Sequence, residues 1–146
     1  MTDLPGRRVF VDTNVLFYAI DRDAGAKGER ARAILARLWD ERAGVLGTQV
    51  LAEWAVNLRR KAGLTWNEIA EVVRPWLAWD VIAPAGEDVL AALRLATDHR
   101  LSFWDAMVVR AAVRAGADVL LTEDMNPGQV VEGVRLVDPF RDLSPR

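Results

Sequence analysis

The chain of 146 residues contains no cysteine and a single histidine, His99. The first absence excludes disulfides, thiolate metal sites and cysteine nucleophiles. The second excludes a His-rich zinc site, so acid–base chemistry must rest mainly on carboxylates, hydroxyls or a bound metal. Lysine is scarce. Lys27 and Lys61 stand among 19 cationic residues, and the other 17 are arginines. Against them are 21 acids, for a net charge of −2. The chain is not a strongly basic nucleic-acid binder. No apolar run approaches the roughly 20 residues that span a bilayer. The apolar stretch after the charged residues Met1–Arg8 is broken by Asp12, so it does not read as a secretory signal. The default expectation is a cytoplasmic protein with no membrane partner.

What is present suits a packed globule: 51% hydrophobic and 27% charged residues. No repeat, low-complexity segment or long linker divides the chain, so residues 1–146 are expected to form a single domain. Short apolar runs alternate with helical patterns. Strands are expected at Arg8–Val11, Val45–Gly47, Asp80–Ile82 and Val119–Leu121, with a fifth at Val134–Val137. A helix over Thr13–Ile20 follows the first strand. A second, over Lys27–Ala43, puts Ala31, Ile34, Leu35 and Leu38 on one face, and Gly44 is read as its end. Thr48 opens a helix that Gly63 stops. Thr65 and Glu68 form a capping box for the next helix, which Pro75 kinks or shortens. Two more helices run from Gly86 to Asp98 and from Ser102 to Gly116. This alternation implies an α/β fold, a mainly parallel sheet of four to five strands covered on both faces. Such sheets bind ligands at the carboxyl ends of their strands, where the strand order reverses.

Four acids stand out against a background of solvated surface charge. Asp12 ends the first strand and Asp124 follows the fourth, which puts both on the ligand edge. A helix N-cap is the plain alternative for Asp12, and a turn before Asn126-Pro127-Gly128 for Asp124. At roughly 100° per residue, Asp105 shares an arc with Val108, Val109 and Ala112, away from Arg110 and Arg114. Its plain alternative is a capping box with Ser102. Glu53 borders the apolar stripe of its helix, where it can equally be an exposed acid or a favourable charge near the helix start. Together, four like charges on one edge would raise one another's pKa unless a divalent cation sat among them. Oxygen ligands without His or Cys suit Mg²⁺ or Mn²⁺.

In order along the chain, five segments carry a resemblance. They are Val11-Asp12-Thr13-Asn14-Val15-Leu16, Gln49-Val50-Leu51-Ala52-Glu53, Leu101-Ser102-Phe103-Trp104-Asp105-Ala106, Leu121-Thr122-Glu123-Asp124-Met125 and Gly133–Phe140. They resemble the PIN-domain ribonucleases, in particular the VapC-type toxins of type II toxin–antitoxin pairs. The resemblance implies a three-layer α/β/α sandwich and Mg²⁺- or Mn²⁺-dependent hydrolysis of RNA phosphodiester bonds. It implies that Asp12, Asp105 and Asp124 hold metal directly or through water, that Glu53 completes the shell or orients water, and that Asn14 and Ser102 support them. It also implies an RNA substrate, a cognate antitoxin that fills the acidic groove, and a homodimer. Asn126-Pro127-Gly128 departs from relatives that often carry an acid before the glycine, which should alter a loop only.

Glu123 is the alternative to Asp124, because adjacent residues point in different directions. Arg59, Arg60, Arg100, Arg110 and Arg114 are candidate phosphate contacts, each with an ordinary solvated helix face as its plain alternative. Trp39, Trp54, Trp76 and Trp79 are expected in the core or an interface. Trp66 and Trp104 are open to RNA stacking, with the core favoured. His99 reads as a helix-end residue. Two other function classes remain: a catalytically silent PIN-like binding module, and a phosphoaspartate receiver or phosphatase-like protein. The latter is disfavoured because Asp12 lacks an Asp-x-Asp pattern and no lysine follows the late strand. A dinucleotide enzyme is weaker still, since no Gly-x-Gly-x-x-Gly follows the first strand.

Overall fold

A computed structural model describes residues 8–143. Six strands form one sheet in the order β3-β2-β1-β4-β6-β5. They are β1 (Val9–Val11), β2 (Gly44–Gly47), β3 (Asp80–Ile82), β4 (Val119–Leu121), β5 (Val130–Val131) and β6 (Val134–Val137). All neighbouring pairs are parallel except β5 with β6. The helices are α1 (Thr13–Ile20), α2 (Ala26–Glu41), α3 (Thr48–Ala62), α4 (Trp66–Val73), α5 (Gly86–His99) and α6 (Phe103–Arg114).

The order explains the layers. From β1 to β3 the chain moves toward one edge, and between β3 and β4 it returns past β1. Right-handed crossovers therefore put α1–α4 on one face and α5–α6 on the other. The packing follows: α1 rests on α2 and α3, α3 on α4, and α5 on α6, giving the α/β/α sandwich. β1 and β4 are fully buried apolar triplets at the centre, as expected of a doubly covered parallel sheet. The strand order reverses between these two, so their carboxyl ends form the switch point.

Several boundaries differ from the sequence reading. The sheet has six strands, not four or five, because Val130–Val131 turns back antiparallel onto β6. A two-residue strand is too short for periodicity to reveal. The end of α2 is made by Arg42, left-handed at φ 54°, with its N–H on Leu38 and Trp39 carbonyls. Gly44 instead opens β2, where a Cβ would lie 2.3 Å from the Trp79 ring. Pro75 does end α4, in a 3₁₀ segment Arg74–Ala78. Most of the segment read for a secretory signal, residues 1–7, lies outside the described residues. Among the described residues no helix is long and apolar enough to cross a membrane.

Candidate active site

Asp12 is the N-cap of α1, and its Oδ1 accepts from the Thr13 N–H at 2.8 Å. The cap anticipated for it is therefore real, and its other oxygen has a separate role. Oδ2 accepts from the Thr122 hydroxyl at 2.8 Å, which joins the ends of β1 and β4 across the switch point. Asp12 is buried. Burial is the main cause that pushes its carboxyl from 3.8 up to about 6; the Thr122 and Thr13 bonds oppose this, and the negative charges of Asp124 and Glu53 add to it.

The other acids arrive from separate elements. Glu53, in the second turn of α3, accepts from the Thr13 hydroxyl at 3.0 Å and from Gln49 Nε2 at 3.3 Å. Asp124 follows β4. Its Oδ2 accepts from Asn14 Nδ2 at 3.1 Å, and its N–H donates to Thr122 Oγ1 at 3.2 Å. Asp105 stands in the first turn of α6. Ser102 caps that helix by accepting the Asp105 N–H at 3.1 Å, but the reciprocal bond of a capping box is not formed. The Asp105 carboxylate faces the cleft, and burial, with the charges of Asp124 and Glu53, raises its pKa.

Asp12, Glu53, Asp105 and Asp124 all line one open cleft of about 610 Å³. Glu123 lines it too, but its carboxylate is engaged from the side: Tyr18 donates its hydroxyl at 2.6 Å and Lys27 forms an ion pair. Burial and the hydrogen bond to Glu123 raise the Tyr18 phenol well above its ordinary value. No cation bonds to Asp12, Glu53, Asp105 or Asp124 among the described residues. The cluster is thus negative and without internal counter-charge, save for Lys61 at the cleft's other end.

The arginine expectations fare differently. Arg110 and Arg114 both bind the buried carboxylate of Asp88, at 2.8 and 2.6 Å. That triad ties α6 to the start of α5, where Asp88 also accepts the Ala85 N–H. The Ala85 bond and the two guanidinium groups hold the Asp88 carboxyl below its usual value. Both arginines are thus engaged by Asp88, away from the acidic cleft. Arg59 donates to the Leu64 carbonyl and stacks on Trp66, and Arg60 donates to Asn57. None of the five arginines lines the cleft. Trp66 and Trp104 are 59% and 61% exposed, against the core placement favoured for them, because both sit near helix starts whose inner faces hold smaller residues. Trp39, Trp54, Trp76 and Trp79 pack together, but only Trp54 is fully buried; Trp76 and Trp79 are half-buried and Trp39 is exposed at the edge of the cluster. His99 is the last residue of α5.

The sequence reading missed Thr13, Thr122, Gln49 and Lys61. Two signals were available. Thr122 is a polar residue directly after a fully apolar strand. Gln49, Glu53, Asn57 and Lys61 recur every fourth residue, one polar line along α3.

A profile of the PIN domain matches residues 9–131. No curated protein matches the chain. Among solved structures it is similar to Mycobacterium tuberculosis VapC20, a sarcin–ricin-loop-cleaving toxin, at 20% identity and TM-score 0.61, over 77% of this chain and 86% of that one. It is also similar to a toxin–antitoxin complex from Klebsiella pneumoniae, at 17% identity and TM-score 0.64, over 90% of this chain and 97% of that one. VapBC2 from Rickettsia felis, bound to a fragment of its promoter DNA, gives 16% identity and TM-score 0.64, over 88% of this chain and 96% of that one. With the profile spanning most of its length and the fold in agreement, the chain belongs to the PIN-domain family.

Proposed function

We propose that this chain, as one PIN domain over residues 1–146, is an endoribonuclease toxin of the VapC type, dependent on Mg²⁺ or Mn²⁺. The observation that carries this reading is the gathering of four carboxylates from four stretches of chain around one open cleft at the switch point. The similar structures support it: one is a sarcin–ricin-loop-cleaving toxin and another a toxin–antitoxin complex. On this reading the partners are RNA and a cognate antitoxin, the chain forms a homodimer, and it acts in the cytoplasm.

The donor set suits a hard divalent ion. It is all oxygen, it is mutually repulsive, and burial makes Asp12 costly to ionise without a cation nearby. Among the described residues no group of three or more His, Cys, Asp or Glu side chains is arranged to hold a metal ion. Mg²⁺ does not need such a cage, because it keeps several waters and is commonly bound through one or two carboxylates and substrate phosphates. A bound ion there supplies charge neutralisation at the phosphoryl oxygens and lowers the pKa of an attacking water.

The chain's own residues do the rest. Asp12 and Asp124 would hold the ion, and Thr122 sets their relative position by bonding to both. Asp105 approaches from α6 to complete the oxygen set or bind its waters. Glu53, oriented by Thr13 and Gln49, accepts a hydrogen bond from water and turns it toward phosphorus. Asn14 steadies Asp124.

The test is cleavage of RNA by the purified chain. Activity is expected with Mg²⁺ or Mn²⁺, lost in EDTA, restored by the metal, and absent in Asp12→Asn. Full activity of Asp12→Asn under strict metal control would overturn the assignment. RNA left intact by wild type with either ion would favour the silent binding module.

A further inference from the structure

The cleft is not uniform. One end holds the four carboxylates. The other is lined by Phe17, Val56, Asn57 and Lys61, and Trp104 stands beside Asp105 at its margin. We propose that Trp104 and Lys61 bracket the acidic centre as the two contacts of a single-stranded RNA track. The indole stacks an unpaired base, and the ammonium takes a backbone phosphate. This rests on the nuclease reading above and deepens it.

Trp104 is 61% exposed although it precedes a residue of the site and follows Phe103, which packs against the core. The Phe103 ring meets it edge-to-face at 5.1 Å, and Gln49 Nε2, which also bonds Glu53, donates to its carbonyl at 3.3 Å. Gln49 thus ties the backbone at Trp104 to the site, and Phe103 supports one edge of the ring while most of its surface is open. A braced, open aromatic beside a phosphodiester-cleaving centre is what a splayed base stacks on, and every base has a face to offer. A duplex keeps its bases stacked inside and cannot present one.

Among the described residues Lys61 is the only cation that lines the cleft. It lies in register with Glu53 and Asn57 along α3, about 12 Å from Glu53 by helix rise. Its ammonium sits 5.2 Å from the Phe17 ring centroid, and no acidic side chain among the described residues pairs with it. A cation held by a ring and free of carboxylates keeps its charge available for phosphate. Because the rest of the lining is acidic or neutral, this one charge has a large share in admitting an anion.

The experiment measures binding of a short unstructured RNA, and of the same strand annealed to its complement, in Mg²⁺ at several salt concentrations. The full chain is used in the Asp12→Asn background, which keeps cleavage off. Trp104→Ala is expected to weaken single-strand binding roughly five- to a hundredfold, Trp104→Phe much less, and duplex binding hardly at all. Lys61→Met is expected to reduce the slope of log K against log salt by about 0.7, the value of one phosphate contact on a single strand. The proposal is overturned if both variants bind as the parent does, or if single strand and duplex weaken alike. It is equally overturned if Trp104→Ala changes only self-association or capture of a partner protein. Wild type that leaves RNA intact would bring down the nuclease reading itself. Wild type that cleaves, with variants that bind normally, would remove this track alone.

Discussion

The hydroxyl of Thr122 donates to Oδ2 of Asp12 across 2.8 Å, although 110 residues separate the two. The Thr122 hydroxyl oxygen in turn accepts the Asp124 N–H, so one threonine links two acids of the site. Thr122→Val keeps shape and removes both bonds. Cleavage is expected to fall about 10- to 100-fold, the usual range for losing a group that orients a ligand. Thr122→Ser should restore most of it. The Thr122 bond also holds the Asp12 pKa down, so the acidic limb of the rate profile should move to higher pH in the valine variant. Kinetics of both variants across pH test this.

Asp12→Asn should separate activity from stability. Burial raises the Asp12 pKa to about 6 from 3.8, so the folded chain binds a proton that the unfolded chain has released. The native state then holds more protons than the unfolded state between those values, and stability falls as pH rises through the window. The contribution is fully present below about pH 4 and gone above about pH 6. Without metal, the melting temperature of Asp12→Asn minus that of wild type should therefore grow from pH 4 to 6.5 and level off. The gain is at most about 3 kcal/mol, or about 6–12 °C for a chain of this size. Cleavage should drop at least about a hundredfold. An unchanging difference in melting temperature would refute the burial argument.

Metal should reverse that penalty. At pH 7.5, Mg²⁺ or Mn²⁺ should raise the wild-type melting temperature in a concentration-dependent way, reaching about 2.7 kcal/mol at a hundred times the dissociation constant. Asp12→Asn should respond far less. Calorimetric melts with and without the ion give this readout without reference to catalysis.

Asp88 should matter for folding and not for chemistry. Asp88→Ala removes one end of a buried carboxylate–diarginine triad and half of a helix cap. Loss of a buried partner costs several kcal/mol, but Arg110 and Arg114 are partly exposed and can rehydrate. A loss of about 2 kcal/mol is expected. Denaturant melts measure it, and the rate per folded molecule should be unchanged.

Gly44 is a packing requirement. A Cβ there would lie 2.3 Å from the Trp79 ring, so Gly44→Ala must displace the indole cluster of Trp39, Trp76 and Trp79. A destabilisation of about 1–3 kcal/mol is expected by the same denaturant melts.

Apart from β5, the succession of strands and helices and the central parallel sheet could be read from residue order alone, as could four acids that the fold brings to one cleft. Apolar runs such as Val9–Val11 and stripes such as Ala31, Ile34, Leu35 and Leu38 report burial through local periodicity, which is a property of a single element. The edge that carries Asp12 and Asp124 was likewise legible, since an acid directly after a buried strand must emerge at its carboxyl end. Tertiary structure alone decided which long-range partners each polar group found. Arg110 and Arg114 looked free on a helix face until α5 brought Asp88 against them. Asp124 is preferred over Glu123 only through the family resemblance, and the fold separates their surroundings: Tyr18 and Lys27 bind the Glu123 carboxylate, and Asn14 binds Asp124. Thr122 gained its role only when β4 was laid beside β1. Such pairings depend on strand order and crossover, which join residues a hundred positions apart, and no window along the chain contains both members.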